Sequence, residues 1–197
     1  MLKVITILAV LMSEISLAGI ILGDSIFALT GQIEDLIEVD SGKVFDSFAK
    51  NGAKVRRIRA AYNDFKATGN RTDIILMNGG GNDVLRNWDC YFFNDDCRIL
   101  IADAVEVLAK MLKGMENDGV NQVYFLGYYK LNLSARLNEA ILFGSEKIEF
   151  ACSQSSICHY IDPIEKFLEA DKPISNDSVH PSDEGYQILA DLILELL

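Results

Sequence analysis

Apolar residues along this chain fall into short blocks separated by longer stretches in which they recur every three or four positions. The runs in 19–22, 73–77 and 122–126 are too short for helices and read as buried strands, and Tyr160-Ile161-Asp162-Pro163 reads as a short last strand. In Lys43-Val44-Phe45-Asp46-Ser47-Phe48-Ala49 apolar and polar residues partly alternate, which predicts a strand ending at Asn51-Gly52. There a positive φ lets the backbone turn and bring an N–H close to a ligand. Helical spacing is carried by Ile33, Leu36 and Ile37 within 30–40, by Ile58, Ala61, Tyr62 and Phe65 within 56–66, and by Ile101, Val105, Leu108, Leu112 and Met115. A further helix is expected over 131–143, followed by a loop bracketed by cysteines. In the last helix Ser182 is the cap, Asp183 and Glu184 suit the first turn, and Tyr186, Leu189, Ala190, Ile193, Leu194 and Leu197 form the apolar stripe. Alternating strands and helices predict an α/β fold, a three-layer α/β/α sandwich around a mostly parallel sheet of about five strands.

Composition narrows the picture. The 197 residues are 50% hydrophobic, enough for one sizeable domain, and no repeat or linker divides them. A formal charge of -11 without a basic stripe excludes a nucleic-acid partner and disfavours an anionic membrane surface. Arg56, Arg57, Arg59 and Lys66 then read as the solvated face of a helix. Residues 1–18 look like a removable export signal: Lys3 supplies the charge, Val4 to Met12 the apolar stretch, and Ser16-Leu17-Ala18 the small-residue cleavage site. A single domain, 19–197, would follow with no membrane-spanning segment, since Glu14 and the strand's need for residues 19–22 count against an anchor. Four cysteines agree with an oxidising compartment, secreted or periplasmic. Local pairing, Cys90 with Cys97 and Cys152 with Cys158, would staple two loops, although four cysteines allow three connectivities. Neither pair has the two-residue spacing of a metal site, so no metal is expected.

Three polar stretches carry the chemistry. Gly23-Asp24-Ser25 breaks the first strand and delivers Ser25 to the open end of the sheet, where N–H groups of a following helix would stabilise an oxyanion. Taken alone, Gly-Asp-Ser is a turn. Asn78-Gly79-Gly80-Gly81-Asn82-Asp83 empties from the next buried run, and it lacks the Gly-Lys-Ser/Thr or GxGxxG spacing of a phosphate loop. In Asp177-Ser178-Val179-His180-Pro181 a carboxylate three residues before the histidine can fold back onto its Nδ1–H, so that the other ring nitrogen is free to take a serine proton. Pro181 restrains His180 to an extended backbone. His159 has no carboxylate at that spacing and reads as surface or packing, and Tyr128 and Tyr129 follow a strand where they would line a pocket, stack on a sugar or pack.

Gly23-Asp24-Ser25, Gly52, Gly80-Gly81-Asn82-Asp83 and Asp177-Ser178-Val179-His180-Pro181 stand in the order of the SGNH hydrolases, the GDSL esterase/lipase family, and the chain resembles that family over essentially all of 19–197. The resemblance implies Ser25 as nucleophile, His180 as general base and then acid, and Asp177 as its orienting carboxylate. It also implies an oxyanion hole from the Ser25 N–H, the Gly52 N–H and the Asn82 side chain. The expected reaction is hydrolysis of a carboxylic ester of a lipid, small acyl compound or O-acetylated carbohydrate through an acyl-serine, without metal or organic cofactor, by a monomer. Gly52 stands in a segment otherwise unlike the family's hydrophobic lead-in. No Gly-x-Ser-x-Gly elbow is present, which separates the chain from the α/β-hydrolases. The short passage from Ser25 to Gly52, without a lid, predicts a small pocket or shallow groove. The competing readings are a scaffold that keeps the fold without catalysis and a carbohydrate-binding module.

Overall fold

Five short strands carry the site: β1 (Leu17–Leu22), β2 (Val44–Ser47), β3 (Ile74–Met77), β4 (Gln122–Leu126) and β5 (Cys158–Ile161). The computed structural model describes residues 17–197. The expected export signal lies outside these, apart from Leu17 and Ala18, which begin β1.

All the strand pairs are parallel, in the order β2-β1-β3-β4-β5, the flavodoxin-like arrangement. Successive side chains point to opposite faces, so Ile20, Leu22, Ile75, Met77, Val123 and Phe125 enter one core, and Ile21, Leu76, Tyr124 and Leu126 the other. Helices α1 (Ser25–Ala28), α2 (Gln32–Ser41), α7 (Ile164–Glu169) and α8 (Asp183–Leu194) pack on the second of these faces. The first is covered by α3 (Val55–Ala67) and α5 (Asp95–Asn117), with α6 (Ala135–Ser153) against α5. A one-turn helix α4 (Gly81–Leu85) and a 3₁₀ turn (Trp88–Tyr91) complete the loop after β3. The expected three-layer sandwich is thus present.

Several details differ from the sequence reading, among them the last strand, expected over 160–163 and found two residues earlier as β5, Cys158–Ile161. The helix expected over 131–143 begins at Ala135, where the Ser134 side chain accepts from the Leu137 N–H, and runs on to Ser153 because Ile148 and Cys152 continue its buried stripe. Strand β2 is shorter than 43–49, although the Phe48 and Lys50 N–H groups still donate to the Ile21 and Gly23 carbonyls beyond its end. Cys90 is bridged to Cys97 and Cys152 to Cys158, but the bridges staple element ends instead of loops. Cys97 lies in the first turn of α5, and Cys152 at the end of α6 is tied to the first residue of β5. Arg56, Arg57 and Lys66 are exposed on α3, as a solvated face requires.

Candidate active site

The strand order reverses between β1 and β3, and in open α/β sheets ligands bind outside the carboxyl ends of the strands at such a point. Ser25 follows β1 there. Gly23 makes the passage out of the strand feasible, because a Cβ at that position would lie 2.1 Å from Asn78 Oδ1. Asp24 caps α1, its Oδ1 accepting from the Ile26 N–H at 3.0 Å, so the Ile26 donor is committed to the cap.

The partner of Ser25 arrives from the segment before α8. Ser25 Oγ lies 2.9 Å from His180 Nε2, and His180 Nδ1 lies 2.5 Å from Asp177 Oδ2. A carboxylate there fixes the tautomer: Nδ1 carries the proton and donates it to Asp177, leaving Nε2 to accept from the Ser25 hydroxyl. The other oxygen, Asp177 Oδ1, accepts from Ser175 Oγ at 2.8 Å and from the Val179 and His180 N–H groups at 2.9 Å each. Ser178 at φ +70° makes this tight turn possible. Burial pushes the Asp177 carboxyl up, but the His180 ring and N–H, the Val179 N–H and the Ser175 hydroxyl outweigh it and hold the group well below the usual carboxylate range. The loop is anchored to the sheet by Tyr129, whose hydroxyl donates to the Val179 carbonyl at 2.9 Å.

Asn82 enters from α4. Its side chain is buried and its Nδ2 donates to Asp24 Oδ2 at 3.2 Å. Asp83 points the other way, accepting from the Val55 N–H at 3.0 Å and so tying α4 to the start of α3, while burial pushes its carboxyl up. Gly52 adopts φ +70°, and a Cβ there would lie 2.3 Å from Arg86 Nη2. Its loop is held beside Ser25 by the Lys50 N–H, which donates to the Gly23 carbonyl at 3.0 Å. Ser25 and Asn82 open on a cavity of about 20 Å³ walled by Ile26, Leu85, Leu131, Ile141 and Val179.

Ser25, Asp177, His180 and Asn82 therefore converge, with the Gly52 loop tethered to the same strand end. The sequence reading had given no role to Asp24, Asn78 or the Tyr128 hydroxyl. Asp24 is 2% exposed, and besides Ile26 and Asn82 it accepts from Asn78 Nδ2 at 2.8 Å and from Tyr128 Oη at 2.6 Å. The available signal was a polar residue at the end of two apolar runs, which becomes a contact only once β1 and β3 are known to be neighbours. Tyr128 and Tyr129 are both buried, Tyr129 stacking on Phe167 at 4.0 Å, so neither is a sugar platform. His159 is exposed and stacks on Tyr124, in keeping with a surface role. The exposed aromatic face is instead Trp88, Tyr91 and Phe92 on the 3₁₀ turn, where Tyr91 Oη donates to the carbonyl of the cavity residue Leu85. Among the described residues no cluster of His, Cys, Asp or Glu is arranged to hold a metal, and no helix is long and apolar enough to cross a membrane.

Comparison with known proteins gives the same picture. The lipase Lip_vut3 from a goat rumen metagenome is similar over 91% of this chain and 97% of its own, with a TM-score of 0.73 and 20% identity. A member of the lipolytic protein G-D-S-L family from Veillonella parvula is similar over 92% and 98%, with a TM-score of 0.71 and 19% identity. A catalytic mutant of Axe2, an acetylxylan esterase from Geobacillus stearothermophilus, is similar over 90% and 92%, with a TM-score of 0.72 and 17% identity. At these identities the likeness concerns the fold. No curated protein matches the sequence. The family described as GDSL-like Lipase/Acylhydrolase matches residues 20–193, and with that match spanning the sheet and the converging serine and histidine, the chain belongs to this family of ester-hydrolysing serine hydrolases.

Proposed function

We propose that the chain is an exported esterase for short acyl groups, with Ser25 as nucleophile, His180 as general base and then acid, and Asp177 as the carboxylate that orients it. The observation that carries this reading is the unbroken chain from Ser25 Oγ through the His180 ring to Asp177, at 2.9 and 2.5 Å. In the first half of the reaction Ser25 Oγ attacks the ester carbonyl while Nε2 takes its proton, and the leaving alcohol receives that proton as the acyl-serine forms. In the second half His180 draws a proton from water, the hydroxide adds to the acyl carbon, and the carboxylic acid leaves as His180 returns the proton to Ser25, the acid then ionising in solvent. The Ser25 and Gly52 N–H groups and the Asn82 amide stabilise the oxyanion of both steps.

The small apolar cavity beside Ser25, walled by Ile26, Leu85, Leu131, Ile141 and Val179, supports a short acyl group over a long chain. The exposed Trp88, Tyr91 and Phe92, joined to the cavity residue Leu85 through the Tyr91 hydroxyl, support a sugar-bearing ester, since flat aromatic faces suit stacking. Two disulfides and the character of residues 1–18 support export. A fluorophosphonate probe should label folded protein at Ser25 and lose that labelling in His180→Ala. Labelling at another serine, or none, overturns the assignment. With esters from acetyl to octanoyl and with acetylated xylo-oligosaccharides, kcat/KM should fall as the acyl chain grows, and a preference for long chains overturns the short-acyl reading.

A further inference from the structure

The buried carboxylate of Asp24 has no part in the proton transfers of the Ser25–His180–Asp177 chain, yet it accepts as many hydrogen bonds as Asp177 does. Four donors converge on it: the Ile26 N–H, Asn78 Nδ2, Asn82 Nδ2 and Tyr128 Oη. Its own N–H donates back to Asn78 Oδ1 at 2.9 Å, so Asp24 and Asn78 form a reciprocal pair across the ends of neighbouring strands β1 and β3. Burial above all, and then the negative charge of Asp24, push the Tyr128 hydroxyl well above its ordinary value, which keeps it a donor. The carboxylate is thus held from three sides and its Oδ2 is presented to Asn82.

Which end of the Asn82 amide faces Ser25 follows from this. Turning the amide by half a revolution exchanges its NH2 and its oxygen, two groups of nearly equal size and opposite polarity. A carboxylate accepts and does not donate, so a turned amide would set two acceptor oxygens at the distance now occupied by the 3.2 Å hydrogen bond. With Nδ2 against Asp24, one N–H is consumed and the second remains for the cavity that Asn82 shares with Ser25. A turned amide would present that cavity with an oxygen, which repels an oxyanion.

We propose that Asp24 is a positioning residue for ester hydrolysis, holding the Asn82 amide in the one orientation that offers an N–H to the developing oxyanion. The inference rests on the role proposed above for Asn82. Replacing Asp24 by Asn removes the constraint, because the new amide can donate to Asn82 Oδ1 and so stabilise the wrong orientation.

The test is a double-mutant cycle on p-nitrophenyl acetate with Asp24→Asn, Asn82→Ala and the pair, each rate divided by the active sites titrated with a fluorophosphonate so that misfolded protein is not counted as slow enzyme. Asp24→Asn should lower kcat on the order of 10²-fold with KM within about twofold, since the loss of one oxyanion donor is worth 10²- to 10³-fold. The same substitution in the Asn82→Ala background should cost less than about threefold, as there is no amide left to orient. Asp24→Ser serves where Asp24→Asn folds poorly: serine still caps α1, but its single, shorter-reaching oxygen cannot hold Asn82, and the same kcat loss and the same disappearance of that loss are expected. Equal losses in both backgrounds, or wild-type kcat in Asp24→Asn, overturn the positioning role. Failure of the oxyanion assignment itself has a different signature, wild-type kcat in Asn82→Ala alone.

Discussion

Replacing Asp177 by Asn and by Ala should impair this enzyme in opposite orders of severity, depending on what is measured. In Asp177→Asn the amide keeps an oxygen for the Val179, His180 and Ser175 donors, so the turn survives, but its NH2 now faces His180 Nδ1. The ring must then accept at Nδ1 and carry its proton on Nε2, which can no longer take the proton of Ser25. A buried triad aspartate changed in this way costs about 10⁴-fold in kcat, equivalent to roughly 5.5 kcal/mol. Asp177 is 49% exposed, so water can relieve part of the mismatch and a loss of about 10³- to 10⁴-fold is expected. In Asp177→Ala water can reach Nδ1 and accept its proton, leaving the productive tautomer in place, and the loss should be only about 10²- to 10³-fold per folded molecule. Stability runs the other way, because the Val179 and His180 N–H groups lose their acceptor in the turn that keeps Ser178 at φ +70°. Two part-exposed hydrogen bonds are worth about 1–2 kcal/mol together, so Asp177→Ala should melt roughly 3–6 °C lower and Asp177→Asn close to the wild type. The assay is kcat on p-nitrophenyl acetate alongside Tm by circular dichroism. If Ala is worse than Asn in both measures, or Asn stays within tenfold of the wild-type kcat, the tautomer argument is wrong.

The same carboxylate sets an acid limit. Its folded value is depressed, so its contribution to stability is complete above about pH 4 and is lost as the pH falls further; wild type and Asp177→Ala should therefore converge in Tm under acid and diverge again at neutrality. Asn82→Ala should lower kcat by roughly 10²- to 10³-fold with little change in KM, whereas Asp83→Asn, which keeps an oxygen for the Val55 N–H, should cost less than about tenfold, and equal losses would dissolve the distinction between them. Opening the Cys152–Cys158 bridge by a double serine substitution should cost roughly 2 kcal/mol for a loop this short, or about 4–8 °C in Tm, and an unchanged Tm would remove the bridge from the account of stability.

Much of this molecule was legible in the order of its residues because buried parallel strands are uninterrupted apolar runs. Gln122–Leu126 was readable to the residue for that reason. Ser25, Asp177 and His180 were readable because their spacing has a chemical meaning that survives without coordinates. The end of α6 was not, since Ile148 and Cys152 extend a stripe that the cysteine pair had suggested was already loop. Nor was the role of Asp24: the reciprocal pair with Asn78 exists only because β1 lies beside β3, and strand order is a property of topology. Tyr128 illustrates the same point, a residue whose position after β4 left its hydroxyl without an address until Asp24 was seen 2.6 Å away.

His180 follows Ser25 by 155 residues, and the helix that follows His180, α8, packs on α2, which follows Ser25. Synthesis proceeds from the other end. A chain leaving the ribosome presents the serine early and the histidine late, so the nucleophile proposed above stays an ordinary alcohol until the last helix docks. On the proposed roles, hydrolytic power is thus the last property the protein acquires, and a nascent chain carries its serine without the base that would activate it.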